Sequence, residues 1–275
     1  MHDMKKSKSK LRIVLCQIIV YVIVMSVFEN INADGSYENY RIIPVALILI
    51  YLLWSMARNK VLETCGFRST TSLPYGKLLF LLPMAILCTM NLWHGIVIRF
   101  EPRATILYIV AMLCIGFVEE ILFRGNLLHA LQQRSVKLAI IVSSLTFGLG
   151  HIVNLINGAE LLHTMLQLIY AIAIGLMLSV FIVKTGHILP CCLFHGIFNA
   201  LAAFSNEAGI TIAYQFTVCF VITIVSLGYA LYIWKKLSIK SNLGEKIDYR
   251  KCTVQGQPTT SLPLHLTVPC TREFL

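Results

Sequence analysis

Two adjacent carboxylates, Glu119 and Glu120, sit inside an apolar run long enough to cross a bilayer. A carboxylate at mid-membrane costs about 2.5–3.5 kcal/mol on insertion scales, so each one calls for a partner or a task. No proline interrupts the stretch Ile115 to Gly125. At about 100° per residue, Glu120 and Arg124 fall on one helical face and can form an ion pair. Glu119 is turned away from that face and is expected to point into the bundle toward His151. The next apolar run carries Phe147 and His151 four apart, with Asn154 three further on, and a later one carries His195 and Asn199 four apart. A single histidine in a membrane is more often a satisfied interhelical hydrogen bonder than a catalyst. The spacing changes that weighing: Glu120 and His151 stand nearly equidistant from a turn at Ser135–Val136, so both lie about 23 Å along their helices from it. His195 lies about 17 Å by helical rise from Lys184, within the same slab. Glu119, Glu120, Arg124, His151, His195 and Asn199 therefore converge as a candidate buried polar site.

Such a set suits hydrolysis, and several intramembrane strategies drop out. No H-E-x-x-H motif is present, and all three aspartates (Asp3, Asp34, Asp248) lie outside the apolar runs, which removes an aspartyl dyad. Two arrangements remain open. In one, Glu119 is a general base that activates water beside His151, while His195 and Asn199 donate toward the oxyanion. In the other, Glu119, His151 and His195 ligate a divalent metal such as zinc, since two histidines and one glutamate with an open position match a catalytic set. His94, His129, His163 and His187 lie at or near span ends and read as structural, and Ser143 and Ser144 lack a G-x-S-x-G context.

The elements that must hold these residues are membrane helices. The 275 residues are 57% hydrophobic and 13% charged, with a mean hydropathy of +0.76, outside the range of soluble domains. An all-α polytopic bundle of about eight spans is expected, at roughly 12–28, 42–57, 78–98, 104–123, 138–153, 161–183, 188–204 and 211–234, with the fourth continuing as helix through Gln132. With a cytoplasmic N-terminus, 20 of the 23 Lys and Arg fall on the inner side and only Arg41, Arg99 and Arg103 outside. Both termini are then cytoplasmic. The net charge of +10 thus has a topological cause, and no nucleic-acid partner is expected. The nine cysteines include no C-x-x-C pair, so neither a zinc ribbon nor a redox centre is indicated. The chain divides into N-terminal helices (1–103), a catalytic core (104–204), a last span (205–237) and a cytoplasmic tail (238–275).

The motifs Glu119-Glu120-x-x-x-Arg124, Phe147-x-x-x-His151 and His195-x-x-x-Asn199 together resemble the CAAX-processing and bacteriocin-processing (CPBP, or Abi) family of intramembrane proteases, which includes the type II CAAX prenyl endopeptidases. The resemblance covers about residues 104–204. It implies a helical-bundle protease in which Glu119 activates water, His151 assists it, and His195 with Asn199 supplies oxyanion donors. Members are commonly called metalloproteases, so a zinc cofactor remains an open expectation. Implied partners are a peptide or protein substrate in the membrane, prenylated or of bacteriocin type, and the lipid bilayer itself. A prokaryotic plasma membrane is the expected location. A non-catalytic immunity or scaffold protein and an ion- or proton-coupled transporter are the competing classes; the latter would use the two glutamates as cation sites.

Overall fold

The computed structural model describes residues 2–32, 41–68 and 81–237, with side chains from Lys10 to Glu29 in the first segment. The expected tail at 238–275 lies outside them. The described chain is helical, and its only extended pairing is an isolated bridge between Ile96 and Ser205.

Among the described residues ten α-helices follow one another: α1 (His2–Asn32), α2 (Ile42–Arg58), α3 (Leu82–Cys88), α4 (Pro102–Glu120), α5 (His129–Gln132), α6 (Val136–Gly150), α7 (Val153–Ile156), α8 (Leu161–Thr185), α9 (Leu189–Ala200) and α10 (Ile212–Lys236). Local chemistry sets their ends. Pro102 opens α4 and Pro190 lies in the first turn of α9, where a missing N–H costs nothing. The Ser135 hydroxyl accepts from Leu138 N at the start of α6, and the Thr211 hydroxyl caps α10 through Tyr214 N. Gly186, at φ +75°, ends α8 in the left-handed conformation.

Among the described residues five stretches are long and apolar enough to cross a bilayer: Lys10–Glu29, Pro102–Gln132, Val136–Ile156, Leu161–Thr185 and Ile212–Lys236. Three shorter apolar helices, Ile42–Arg58, Leu82–Leu92 and Leu189–Phe204, take the places of the other expected spans. The region expected to span as 78–98 is the clearest departure. Its described helix covers 11 residues, about 16 Å of rise against some 30 Å of hydrocarbon. Beyond it the backbone turns at Gly95 (φ +123°) and bonds to the segment after α9, through Val97 N to Phe204 O and Asn206 N to Gly95 O. Those bonds satisfy the backbone without a helix.

The fourth span does run on to Gln132, with a change of winding: Ile121–Leu128 forms a π-helical stretch between α4 and α5. The expected fifth span stops at Gly150, and His151 caps it before the single turn of α7.

α8 packs between α6 and α10, and α4 between α2 and α9. Small residues set these crossings. A β-carbon on Gly116 would meet Gly196 N at 2.4 Å, and one on Gly148 would meet Ile172 Cγ1 at 2.2 Å. In lipid, where no hydrophobic force draws helices together, such close approach supplies the packing that does. Gly116 lies one turn before Glu120 and Gly196 directly follows His195, so the α4–α9 contact also sets the distance between those two side chains.

Candidate active site

Glu120 and Arg124 form the expected pair at the end of α4 and in the π stretch that follows. Arg124 Nη1 donates to Glu120 Oε1 over 2.7 Å, with both side chains fully buried. The guanidinium lies over the Phe147 ring, 4.3 Å from its centroid. Gly175 on α8 makes room for it: a β-carbon there would come within 3.2 Å of Arg124 Nη2, Phe147 Cδ1 and Ser144 Cα.

From α9, His195 enters between the two glutamates. Its Nδ1 lies 2.9 Å from the same Glu120 Oε1, and its Nε2 lies 3.3 Å from Glu119 Oε2. The expectation that Glu119 would look away from Glu120 toward His151 is thus met only in part. The two carboxylates diverge along the helix and then meet opposite edges of one imidazole. Glu119 still opens onto a cavity of about 170 Å³, lined by Tyr21, Phe123, Phe147, His151 and Asn154 among others.

Phe147 organises the two histidines. Its ring stands edge-on to His151 and to His195, with centroids 5.4 Å away in each case. The α6 register that delivers it is held by Ser143, which donates to Phe123 O over 2.8 Å, and by the Phe123–Phe147 edge contact at 5.3 Å. The hairpin arithmetic from Ser135–Val136 therefore places α4 and α6 in the register found. Asn199 is brought less close: it is partly exposed, makes no side-chain hydrogen bond among the described residues, and is not among the residues lining the cavity. Asn154 bonds Gln167 at 2.8 Å.

The side chain that the motifs do not single out is Tyr21 on α1. Its hydroxyl donates to Glu119 Oε1 over 2.7 Å. The sequence does hold a signal: Gln17 and Tyr21 are four apart in an otherwise apolar run, and Gln17 also faces the fourth span, accepting from Asn126 Nδ2 at 3.3 Å. The histidines expected to be structural sit apart. His94 and His163 line a separate cavity of about 460 Å³ that holds neither site glutamate, and His129 bonds Gln132 on its own helix.

As a metal set, Glu119, His151 and His195 fit poorly. Among the described residues no group of three or more His, Cys, Asp or Glu side chains is placed to hold an ion. Both nitrogens of His195 face carboxylates and one oxygen of Glu119 is bonded to Tyr21.

Comparison with curated proteins finds none that matches. The stretch from the residue before α4 to the residue after α9 holds both glutamates, Arg124 and both histidines. These residues, 101–201, match the Rce1-like family of type II CAAX prenyl endopeptidases, the group whose motifs the sequence resembles.

Proposed function

We propose that this protein is a multi-pass intramembrane endopeptidase that cleaves membrane-associated peptides with a water activated by Glu119. The observation that carries the reading is the asymmetry of the two carboxylates. Glu120 is sealed, committed to Arg124 and His195, whereas the side chain of Glu119 keeps 15% of its surface accessible and opens onto the cavity that His151 shares. Paired acids whose surroundings differ in this way divide into a structural member and a working one.

In this reading a water between Glu119 and His151 gives a proton to the Glu119 carboxylate as its oxygen adds to the scissile carbonyl carbon. The carbonyl oxygen becomes an oxyanion, met by the Nε2–H of His195, which turns to it from Glu119 as that carboxylate takes the proton, and by Asn199, which moves in from its partly exposed position when substrate binds. Collapse of the tetrahedral intermediate breaks the C–N bond, and the proton held by Glu119 passes to the departing amine. Glu120 fixes the orientation of His195 through Nδ1. The catalytic core is residues 104–204, with the flanking helices as support, and the substrates are prenylated or bacteriocin-type peptides.

The test is cleavage of a farnesylated C-terminal peptide and of a bacteriocin precursor peptide by purified protein in nanodiscs, with and without chelator. Wild type is expected to cleave at least one of them, and Glu119→Gln to cleave neither while staying folded. A Glu119→Gln protein with the wild-type rate, or a wild type inert toward both, would overturn the reading. Loss of activity on chelation, restored by zinc, would retain the protease and replace the metal-free arrangement.

A further inference from the structure

A tyrosine in the hydrocarbon region needs a partner for its hydroxyl, and backbone carbonyls are mostly spent within their own helices. Tyr21, buried on α1, finds that partner in Glu119, the glutamate that opens onto the cavity, through the 2.7 Å bond to Oε1. The other oxygen of Glu119 is the one that faces His195 Nε2. The two contacts hold the carboxylate from opposite ends and so fix which oxygen looks where.

Docking of α1 does not depend on this bond alone. Below Tyr21, Gln17 is bonded to Asn126; above it, the Ser26 hydroxyl donates to Asn157 Oδ1 over 2.6 Å. Tyr21 sits between these anchors, and Val22, Met25, Ser26 and Glu29 continue along the same side of α1 as one wall of the cavity. That helix lies outside residues 101–201.

We infer that Tyr21 is a positioning residue of the site: its hydroxyl holds Glu119 in the orientation that presents the carboxylate to the cavity and to His195, so that α1 completes a site the 101–201 segment leaves unfinished. The catalytic consequence rests on the protease reading above, whereas the positioning itself can be read without turnover. A hydrogen bond to a charged group contributes about 1.5–3 kcal/mol, which corresponds to a rate factor of about 10 to 160 when it is used in orienting the base.

The experiment compares Tyr21→Phe, which keeps the ring, with Gln17→Leu, which removes a neighbouring anchor of α1 and leaves Glu119 untouched. Two quantities are measured on the full chain in nanodiscs: the infrared carboxylate stretch assigned to Glu119 as the band lost in Glu119→Gln, and kcat and KM on whichever peptide the wild type cleaves. For Tyr21→Phe we expect a displaced Glu119 band, kcat lower by about tenfold or more, and KM unchanged within about twofold. For Gln17→Leu we expect a lower Tm with the Glu119 band in place. An unmoved Glu119 band in Tyr21→Phe, or equal losses of Tm and kcat in the two variants, would reduce Tyr21 to a helix-docking contact and overturn the inference. A wild type that cleaves nothing yet shows the displaced band in Tyr21→Phe would refute the protease and leave the positioning standing.

Discussion

Replacing Arg124 by Met removes a buried charge while keeping most of the side-chain volume, and the structure allows its cost to be worked out. The 2.7 Å charge-assisted hydrogen bond to Glu120 is worth about 1.5–3 kcal/mol. The guanidinium over Phe147 adds about 2 kcal/mol in a desolvated setting. Their sum agrees with the roughly 3–5 kcal/mol that breaking one half of a buried pair costs, because Glu120 is then left with His195 alone. Removing both charges should behave differently. Among the described residues Glu120 Oε2 and Arg124 Nε and Nη2 have no hydrogen-bond partner, so burial of this pair is incompletely compensated. Glu120→Gln keeps an acceptor for His195 Nδ1, and the Glu120→Gln/Arg124→Met double variant should regain about 2 kcal/mol or more of what the single variant loses. The assay is reversible unfolding by SDS titration in mixed micelles, applied to wild type, both single variants and the double. A loss below about 1 kcal/mol for Arg124→Met, or a double variant no more stable than that single one, would refute the account of the pair.

Gly116→Ala should block the α4–α9 contact, because the added β-carbon would stand 2.4 Å from Gly196 N; we expect a loss of at least about 3 kcal/mol in the same unfolding assay, whereas Gly228→Ala, with open space around it, should change little. Asn199→Ala should lower kcat by about 10²–10³ with little change in KM if Asn199 moves onto the oxyanion when substrate binds, and an unchanged kcat would remove it from the site. Reporter fusions at Asn32 and after Lys240 should report opposite sides of the membrane, the latter cytoplasmic; the same side for both would reject the orientation drawn from the 20-to-3 distribution of basic residues.

Local spacing makes the Glu120–Arg124 pair legible in the sequence alone, since i, i+4 geometry holds even at the entrance to a π stretch. The meeting of α4 and α6 is legible for a related reason: one short turn at Gln133–Ser135 leaves little freedom in register. What stays hidden depends on contacts between segments far apart in sequence. Tyr21 lies 98 residues from Glu119, and its spacing from Gln17 marks a polar side of α1 without naming the residue that side meets. The direction of Glu119 follows from that partner and from His195, not from its own helix. The region 78–98 is apolar enough to read as a span, yet part of its backbone is bonded to the segment after α9, a pairing that no periodicity announces. The π stretch Ile121–Leu128 is equally silent, because it contains no proline and its apolar spacing does not announce a change of winding.

The order of the polar partners along the chain has a consequence for biosynthesis. His195 follows Glu120 by 75 residues, which at about 5–20 residues per second is a wait of about 4–15 s during translation. The two glutamates enter the bilayer with their other partners already made or arriving at once: Tyr21 is synthesised earlier, and Arg124 comes four residues later. The nascent fourth span can therefore be handed to lipid with Glu120 paired to Arg124 and Glu119 held by one hydroxyl donor, which leaves a single unpaired carboxylate charge. His195 arrives only with the apolar helix Leu189–Phe204, so a half-made chain still on the ribosome carries the acids without the imidazole that joins them.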